Sequence, residues 1–147
     1  MLIDTHAHLI DEKYNGRLEE LINELKDNNI DKVFTVAFNK QSIIDSVNLA
    51  NNYKNIYAII GVHPEDIGDL TKDTINLIKE YANNPKVIAI GEIGLDYHYI
   101  NFDKELQKAG FIKQLKLAHE LKLPVTIHNR DSIRDCLEIL KENKHLL

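Results

Sequence analysis

Short apolar segments alternate with amphipathic segments along the chain, and this alternation restricts the fold more than any other feature. The predicted strands are residues 2–5, 32–37, 56–60, 87–91 and 124–127. The predicted helices are residues 15–28, 40–53, 72–83, 103–121 and 131–142, the last with Asp131 as its expected N-cap. Buried strands that alternate with helices form βαβ units, so the sequence predicts an α/β fold with a parallel sheet.

Two architectures use such units, an open doubly wound sheet and a closed (β/α)₈ TIM barrel. An open sheet often carries a glycine-rich turn after its first strand, but histidines follow the first strand here. We therefore predict a TIM barrel, of which this chain supplies about five βα units. A complete barrel has about 250 residues. We expect residues 1–147 to be the N-terminal part of one barrel domain, whose open sheet edge pairs with the missing C-terminal half or a second copy.

The composition is that of one soluble domain. Of the 147 residues, 44% are hydrophobic and 28% are charged, and the net charge of −5 gives no general attraction to nucleic acid. We expect no membrane partner, because no apolar run approaches the roughly 18 residues of a membrane span. No secretory signal is visible, and the single cysteine, Cys136, cannot form an internal disulfide. We therefore expect a cytoplasmic protein.

Polar residues that suit an active site follow four of the five predicted strands. They are His6 and His8 after the first, His63 after the third, Glu92 and Asp96 after the fourth, and His128 with Arg130 after the fifth. Active sites of barrels lie at the C-terminal strand ends, so we expect these residues around one rim. His6 and His8, two residues apart on one strand face, can share a divalent cation. A His-x-His pair also arises by chance among seven histidines, and the three other groups favour metal.

Four segments carry a resemblance to a known family. Residues 3–8 (Ile-Asp-Thr-His-Ala-His), 61–64 (Gly-Val-His-Pro), 91–97 (Gly-Glu-Ile-Gly-Leu-Asp-Tyr) and 124–130 (Pro-Val-Thr-Ile-His-Asn-Arg) resemble the successive signatures of the TatD family of metal-dependent deoxyribonucleases, in the amidohydrolase-like superfamily. The similarity runs in order along the chain, and residues 91–97 are its most specific part. It implies a two-metal TIM-barrel hydrolase that cleaves phosphodiester bonds in DNA with a metal-activated water.

The resemblance also implies roles for the strand-end residues. His6 and His8 would bind one metal ion, His128 the second, and Glu92 would bridge both and take part in catalysis. The two ions would be Mg²⁺, with Mn²⁺ or Zn²⁺ as alternatives. Two ions neutralise the phosphodiester charge and lower the pKa of bound water. A carboxylate can bridge two ions, whereas an imidazole cannot.

The remaining candidates each have a functional and a structural interpretation. His63 is a candidate catalytic and substrate-binding residue that orients substrate or donates a proton; alternatively, it holds the turn before Pro64. Asp96 either fixes a ligand imidazole through its free N–H or caps its loop.

Arg130 and the aromatic residues 97–99 are the candidates for contacts to DNA. Arg130 either grips a phosphate with its guanidinium group or forms a surface salt bridge with Asp131 or Asp135. Residues 97–99 (Tyr-His-Tyr) either stack on a nucleobase or pack within their loop.

The family pattern continues with a histidine after strand 6 and an aspartate near strand 7, and neither occurs in residues 1–147. We therefore expect this chain alone to be weakly active or inactive. One alternative is another metal hydrolase of the superfamily, acting on amides, phosphotriesters or lactones. Those relatives usually bridge their metals with a lysine at the end of strand 4, where this chain has Glu92. Another alternative is a catalytically silent piece that self-associates.

Overall fold

The computed structural model describes residues 2–101 and 103–147, apart from the side chain of Lys26. The strands are β1 (Leu2–Ala7), β2 (Ile30–Val36), β3 (Ile56–Ile60), β4 (Val87–Asp96) and β5 (Val125–Arg130). The helices are α1 (Leu18–Asp27), α2 (Lys40–Asn52), α3 (Lys72–Tyr81), α4 (Lys104–Leu121) and α5 (Ile133–Glu142). Short 3₁₀ turns lie at Glu12–Tyr14, Pro64–Asp69 and Lys144–Leu146. None of these described helices is both long and apolar enough to cross a bilayer.

The five strands form one parallel sheet in the order β1-β2-β3-β4-β5. A doubly wound sheet needs a point at which the strand order reverses, so that helices cover both faces. Here the order never reverses, and right-handed crossovers therefore place the helices on one face. The sheet curls into half of a barrel wall, which confirms the predicted α/β fold and partial TIM barrel.

The main core lies between the sheet and its helices. Its largest fully buried apolar side chains include Ile43, Ile60, Ile90, Phe111 and Leu115. A smaller apolar cluster contains the buried residues Val36, Ile59 and Ala89 of the three central strands. Because the central strands are buried on both faces, their sequences are nearly continuous apolar runs.

Strand β4 is longer than predicted and reaches Asp96, because its last four residues pair with β5. Glu92 and Asp96 therefore lie within the strand rather than after it. His6 likewise lies within β1 and His128 within β5, whereas His8 follows β1 directly. His6, Glu92, Asp96 and His128 are thus carried by strand ends, which hold their backbones more firmly than loops would.

The prediction of Asp131 as the N-cap of α5 is wrong, because Ser132 occupies that position. Asp131 has a φ of 54°, and its carboxylate lies 3.2 Å from His98 Nδ1. The Ser132 hydroxyl makes no capping bond and instead lies 2.9 Å from the Leu95 carbonyl oxygen and 2.8 Å from Asn129 Oδ1. Ser132 therefore ties the start of α5 to the ends of β4 and β5.

Candidate metal centre

Five strand-end residues meet in one cleft at the C-terminal rim of the sheet. The cleft has a volume of about 990 Å³, and its lining includes His6, His8, His63, Glu92 and His128. They come from the ends of β1, β3, β4 and β5, and parallel strands bring these ends to the same edge. The expected convergence of these side chains is therefore present in the structure.

Glu92 lies between two groups of imidazoles. Its Oε2 is 3.4 Å from His6 Nε2 and 4.0 Å from His8 Nε2, and its Oε1 is 3.2 Å from His128 Nδ1. The two groups are His6–His8–Glu92 and His63–Glu92–His128, and within each the potential ligand atoms all lie within 4.8 Å of one another. Each oxygen of the carboxylate faces a different group, which is the geometry expected of a residue that bridges two cations.

A backbone carbonyl sets the tautomer of His8. Its Nδ1 lies 3.0 Å from the carbonyl oxygen of Val36, the last residue of β2, so Nδ1–H must be the donor. The lone pair of neutral His8 is therefore on Nε2, which points toward Glu92. Such a bond fixes both the ring orientation and the nitrogen available to a metal.

His128 is held between two carboxylates. Its Nε2 lies 2.8 Å from Asp96 Oδ2, and its Nδ1 faces Glu92. The contact with Glu92, followed by that with Asp96, raises the pKa of His128 despite its partial burial.

Both carboxylates beside His128 remain ionised. Burial by itself would raise the pKa of Glu92, but the hydrogen bond from His128 and the nearby imidazoles outweigh it and lower that pKa. Burial also acts to raise the pKa of Asp96, which is only 1% exposed. Hydrogen bonds from the His98 N–H and the His128 ring reverse this effect and lower it. Asp96 thus has the contacts of both its interpretations: Oδ2 faces a candidate ligand imidazole, and Oδ1 accepts the loop N–H of His98.

The residues present suit a divalent cation. Imidazole nitrogen and carboxylate oxygen together form a common donor set for Zn²⁺ and similar ions. Mg²⁺ prefers oxygen ligands and retains several waters, so an imidazole-rich set suits it less well. By donor chemistry alone, this set suits a transition metal better than Mg²⁺, the ion expected first from the sequence.

His63 caps the turn before Pro64 and also lies in the cleft. Its Nδ1 accepts the backbone N–H of Glu65 at 3.2 Å, which caps the 3₁₀ turn that begins at Pro64. Its ring also lies in the cleft, 4.2 Å from the His128 ring. Burial and then the charge of His128 lower the pKa of His63 to about 4, so the ring is neutral at pH 7. With Nδ1 accepting, neutral His63 carries its proton on Nε2 and can donate it in a hydrogen bond.

Arg130 stands apart from this cluster. It is not among the described residues that line the cleft, and its Cζ lies 5.6 Å from the centre of the Tyr99 ring. The alternative salt bridges to Asp131 and Asp135 are not found in the part of the chain that the structure describes. Those carboxylates contact other side chains: Asp131 contacts His98, and Asp135 contacts Tyr97 and Lys108.

Two buried glutamines beside the site were not predicted. Gln107 and Gln114 of α4 hydrogen-bond the backbones of Asp96 and Val62, respectively. A signal was present in the sequence, because the two amides share the helix face of Phe111 at a spacing of seven residues. A polar residue repeated on an apolar helix face indicates a buried partner.

Gly94 brings β4 and β5 together at the site. Its φ is 145°, and a Cβ added there would lie 2.0 Å from the carbonyl oxygen of His128. The glycine therefore permits a close approach of the two strands that a side chain would prevent.

Comparison with known proteins points to one family. The sequence profile of the family described as TatD related DNase matches residues 3–146. YabD of Bacillus subtilis, described as an uncharacterized metal-dependent hydrolase, is 44% identical over 142 residues, which are 97% of this chain and 56% of that protein. The 3'-5' ssDNA/RNA exonuclease TatD of Shigella flexneri is 28% identical over 140 residues, or 95% of this chain and 54% of the exonuclease.

A solved structure gives the same result. The crystal structure of YjjV, a TatD homologue from Escherichia coli, superposes with a TM-score of 0.89 at 29% sequence identity. The match covers 96% of this chain and 55% of YjjV. The chain therefore spans about half the length of the relatives that it matches.

Proposed function

Because the chain belongs to the TatD-related DNase family, we propose that it is part of a divalent-metal-dependent deoxyribonuclease. Residues 1–147 then form the N-terminal part of a single TIM-barrel hydrolase domain. The half-barrel sheet and its superposition on about half of a TatD homologue support this assignment. The Shigella relative is named as an exonuclease of single-stranded DNA and RNA, which supports a nucleic acid as the substrate.

The position of Glu92 is the observation that carries the proposal. Its two oxygens face different imidazole groups at 3.2 and 3.4 Å, as two-metal hydrolysis requires of a bridging ligand. Two bound ions would neutralise the phosphodiester and supply a hydroxide near neutral pH. The resemblance implies that superfamily members with other substrates usually have lysine in this place, so the carboxylate favours the nuclease branch.

The protein residues would hold and orient the reactants. His6 and His8 offer nitrogen ligands on one side of Glu92, and His128 offers Nδ1 on the other. Asp96 would keep the remaining N–H of His128 in place. His63, with its proton on Nε2, would hydrogen-bond a substrate oxygen, and Arg130 would hold a phosphate outside the cleft.

Cleavage of a labelled single-stranded oligonucleotide by the full-length parent tests the proposal. We expect hydrolysis with Mn²⁺, Zn²⁺ or Mg²⁺ and none with EDTA. Glu92→Gln should slow turnover about a hundredfold or more, because an amide cannot bridge two cations. Asp45→Asn removes another cleft carboxylate outside both ligand groups and should retain most of the rate. Metal-loaded wild type that leaves the oligonucleotide intact would contradict the assignment.

The charge of the cleft favours a second candidate, another metal-dependent hydrolysis with an uncharged substrate. Among the described residues that line the cleft there is no lysine or arginine, whereas five carboxylates besides Glu92 are present: Asp11, Glu12, Asp45, Glu65 and Asp66. This lining repels a polyanion. A panel of amides and lactones separates the candidates, since their hydrolysis without cleavage of DNA would select the second.

A further inference from the structure

We propose that Gln107 and Gln114 of α4 are positioning residues that hold the strand ends of the candidate metal centre in place. Their effect on metal binding rests on the function proposed above. Their effect on the positions of the site imidazoles does not, and can be measured without metal.

Each glutamine binds both backbone polar groups of a single residue. Gln107 Nε2 donates to the Asp96 carbonyl oxygen at 2.9 Å, and its Oε1 accepts the Asp96 N–H at 2.9 Å. Gln114 Nε2 donates to the Val62 carbonyl oxygen at 2.9 Å, and its Oε1 accepts the Val62 N–H at 2.8 Å. Two bonds to one residue fix both its distance from the helix and its orientation.

The amides act where β3 and β4 no longer pair with each other. The pairing of β3 with β4 ends at Ile60 and Ile90, so Val62 and Asp96 lie beyond the last ladder bonds between these strands. Their backbone groups are buried and would be costly to leave unpaired. The amides of α4 therefore replace the missing strand partners at this rim.

The packing of α4 makes this reach possible. Gln107 and Gln114 are 0% and 1% exposed, and two helical turns place them on the same face. Gly110 lies on that face between them, and a Cβ there would come 2.2 Å from Ile67 Cδ1. The missing side chain lets the helix lie close to the rim. A purely apolar face could fill the same space but could not bind the two backbones.

Each amide binds a residue that either contacts or precedes a site imidazole. Asp96, held by Gln107, contacts His128 Nε2 at 2.8 Å. Val62, held by Gln114, directly precedes His63. The His63 and His128 rings are themselves 4.2 Å apart. One helix thus sets the relative positions of the ends of β3 and β4, and with them these two rings.

A matched pair of variants tests the proposal. Gln107→Met and Gln114→Met keep the side-chain length and each remove two equivalent buried bonds from the same helix. Leu115→Ala is the control. It shortens a buried apolar side chain of α4 and leaves a cavity there, but it removes neither pair of amide bonds. Gln107→Glu, which keeps the acceptor and loses the donor, replaces Gln107→Met if the latter does not fold.

Ring-nitrogen NMR of the metal-free, ¹⁵N-labelled chain is the first measurement. Gln107→Met should shift the His128 signals most, because Asp96 moves, whereas Gln114→Met should shift those of His63 most. The His6 and His8 signals should stay unchanged in both, and all four should stay unchanged in Leu115→Ala. A Gln107→Met spectrum with wild-type His128 signals, or equal shifts in Leu115→Ala, would overturn the proposal.

Calorimetric titration with Mn²⁺ is the second measurement. Gln107→Met should weaken binding about tenfold, the lower end of the effect of losing a group that orients a ligand. Leu115→Ala should keep the wild-type affinity, and an equal loss there would assign the effect to general destabilisation and overturn the proposal. If the ring signals shift as expected while the wild-type full-length parent binds no Mn²⁺, the metal function fails and the positioning role stands.

Discussion

At the scale of single residues, the position of the His128 ring depends on three neighbours in β4. Asp96 holds one of its ring nitrogens at 2.8 Å, and Glu92 faces the other at 3.2 Å. Gly94 allows the His128 backbone to approach β4. Asp96 can therefore determine whether the His128 imidazole is available to a metal, without contacting substrate itself.

Replacing Asp96 with asparagine should weaken metal binding. The amide cannot provide the carboxylate charge that holds His128 Nε2, so we expect Mn²⁺ or Zn²⁺ affinity to fall about 10- to 100-fold in calorimetry. Asp66→Asn is the control, because Asp66 lines the same cleft but belongs to neither ligand group. Equal affinities for Asp96→Asn and wild type would remove Asp96 from this role.

Gly94→Ala should destabilise the fold by about 3 kcal/mol or more, because its Cβ would overlap the His128 carbonyl oxygen at an unfavourable φ. Gly68→Ala should change the free energy of unfolding by no more than about 0.5 kcal/mol, since a Cβ there has no atom within 4 Å. Urea denaturation measures both. Comparable losses in the two variants would show that the close approach at Gly94 does not matter.

At the scale of elements, three side chains reach across strand and helix boundaries to fix opposite ends of the sheet. The amides of α4 act at the C-terminal rim, as described above. At the other end, Lys86 precedes β4 and its Nζ binds the carbonyl oxygens of Tyr53, Lys54 and Ile56 at 2.8, 2.8 and 3.0 Å. This ammonium group joins the turn between α2 and β3 to the start of β4.

Lys86→Met should lower the free energy of unfolding by about 2 kcal/mol, because three carbonyl oxygens lose a charged donor. Lys79→Met is matched in chemistry but removes only an exposed ion pair with Glu120, and should cost at most about 1 kcal/mol. Denaturant unfolding compares the two variants. Metal affinity should stay at the wild-type value in both, since Lys86 lies at the far end of β4 from the site. A Lys86 variant as stable as wild type would contradict this role.

At the scale of the whole molecule, the half barrel leaves apolar side chains exposed at both of its ends. Leu2 and Ile3 of β1 are 60% and 45% exposed, and Ile133 and Leu137 of α5 are 59% and 47% exposed. Within the described residues, β1 pairs only with β2 and β5 only with β4. An edge strand with exposed apolar residues is a template for another strand.

The 147-residue chain should therefore self-associate when it is produced alone. We expect light scattering after size exclusion to give a mass above that of a monomer at micromolar concentrations. Ile3→Lys should shift the mass toward the monomer, because an edge lysine opposes strand pairing. Asn23→Lys adds the same charge on α1 and should leave the association unchanged. A monomeric wild type would contradict this prediction.

The same chain should cleave DNA far more slowly than its full-length parent. On the proposal that it forms only the N-terminal part of the domain, the histidine and aspartate of the family pattern lie outside it. We expect a rate at least about a hundredfold lower, measured on one oligonucleotide at equal protein and Mn²⁺ concentrations. Comparable rates would show that residues 1–147 suffice for catalysis.

The sequence alone determined the order and type of the elements and the candidate ligands. Alternating apolar runs and amphipathic segments predicted all five βα units, since burial and periodicity are local properties of the chain. The resemblance to the family signatures named His6, His8, Glu92 and His128 as ligands. Their convergence could be predicted because strand ends of a parallel sheet meet at one rim. Element boundaries were less accurate, and β4 ends at Asp96 because of its pairing with β5.

Only the tertiary structure decided how those residues face one another. Three sets of contacts join residues that are distant in sequence. They are the contacts of the two Glu92 oxygens with separate imidazole groups, the His8 bond to Val36 and the amide bonds of Gln107. Such contacts depend on how a helix packs against the sheet and on where neighbouring strands end. Local sequence patterns do not predict those distances, because the distances are set only when the whole sheet and its helices assemble.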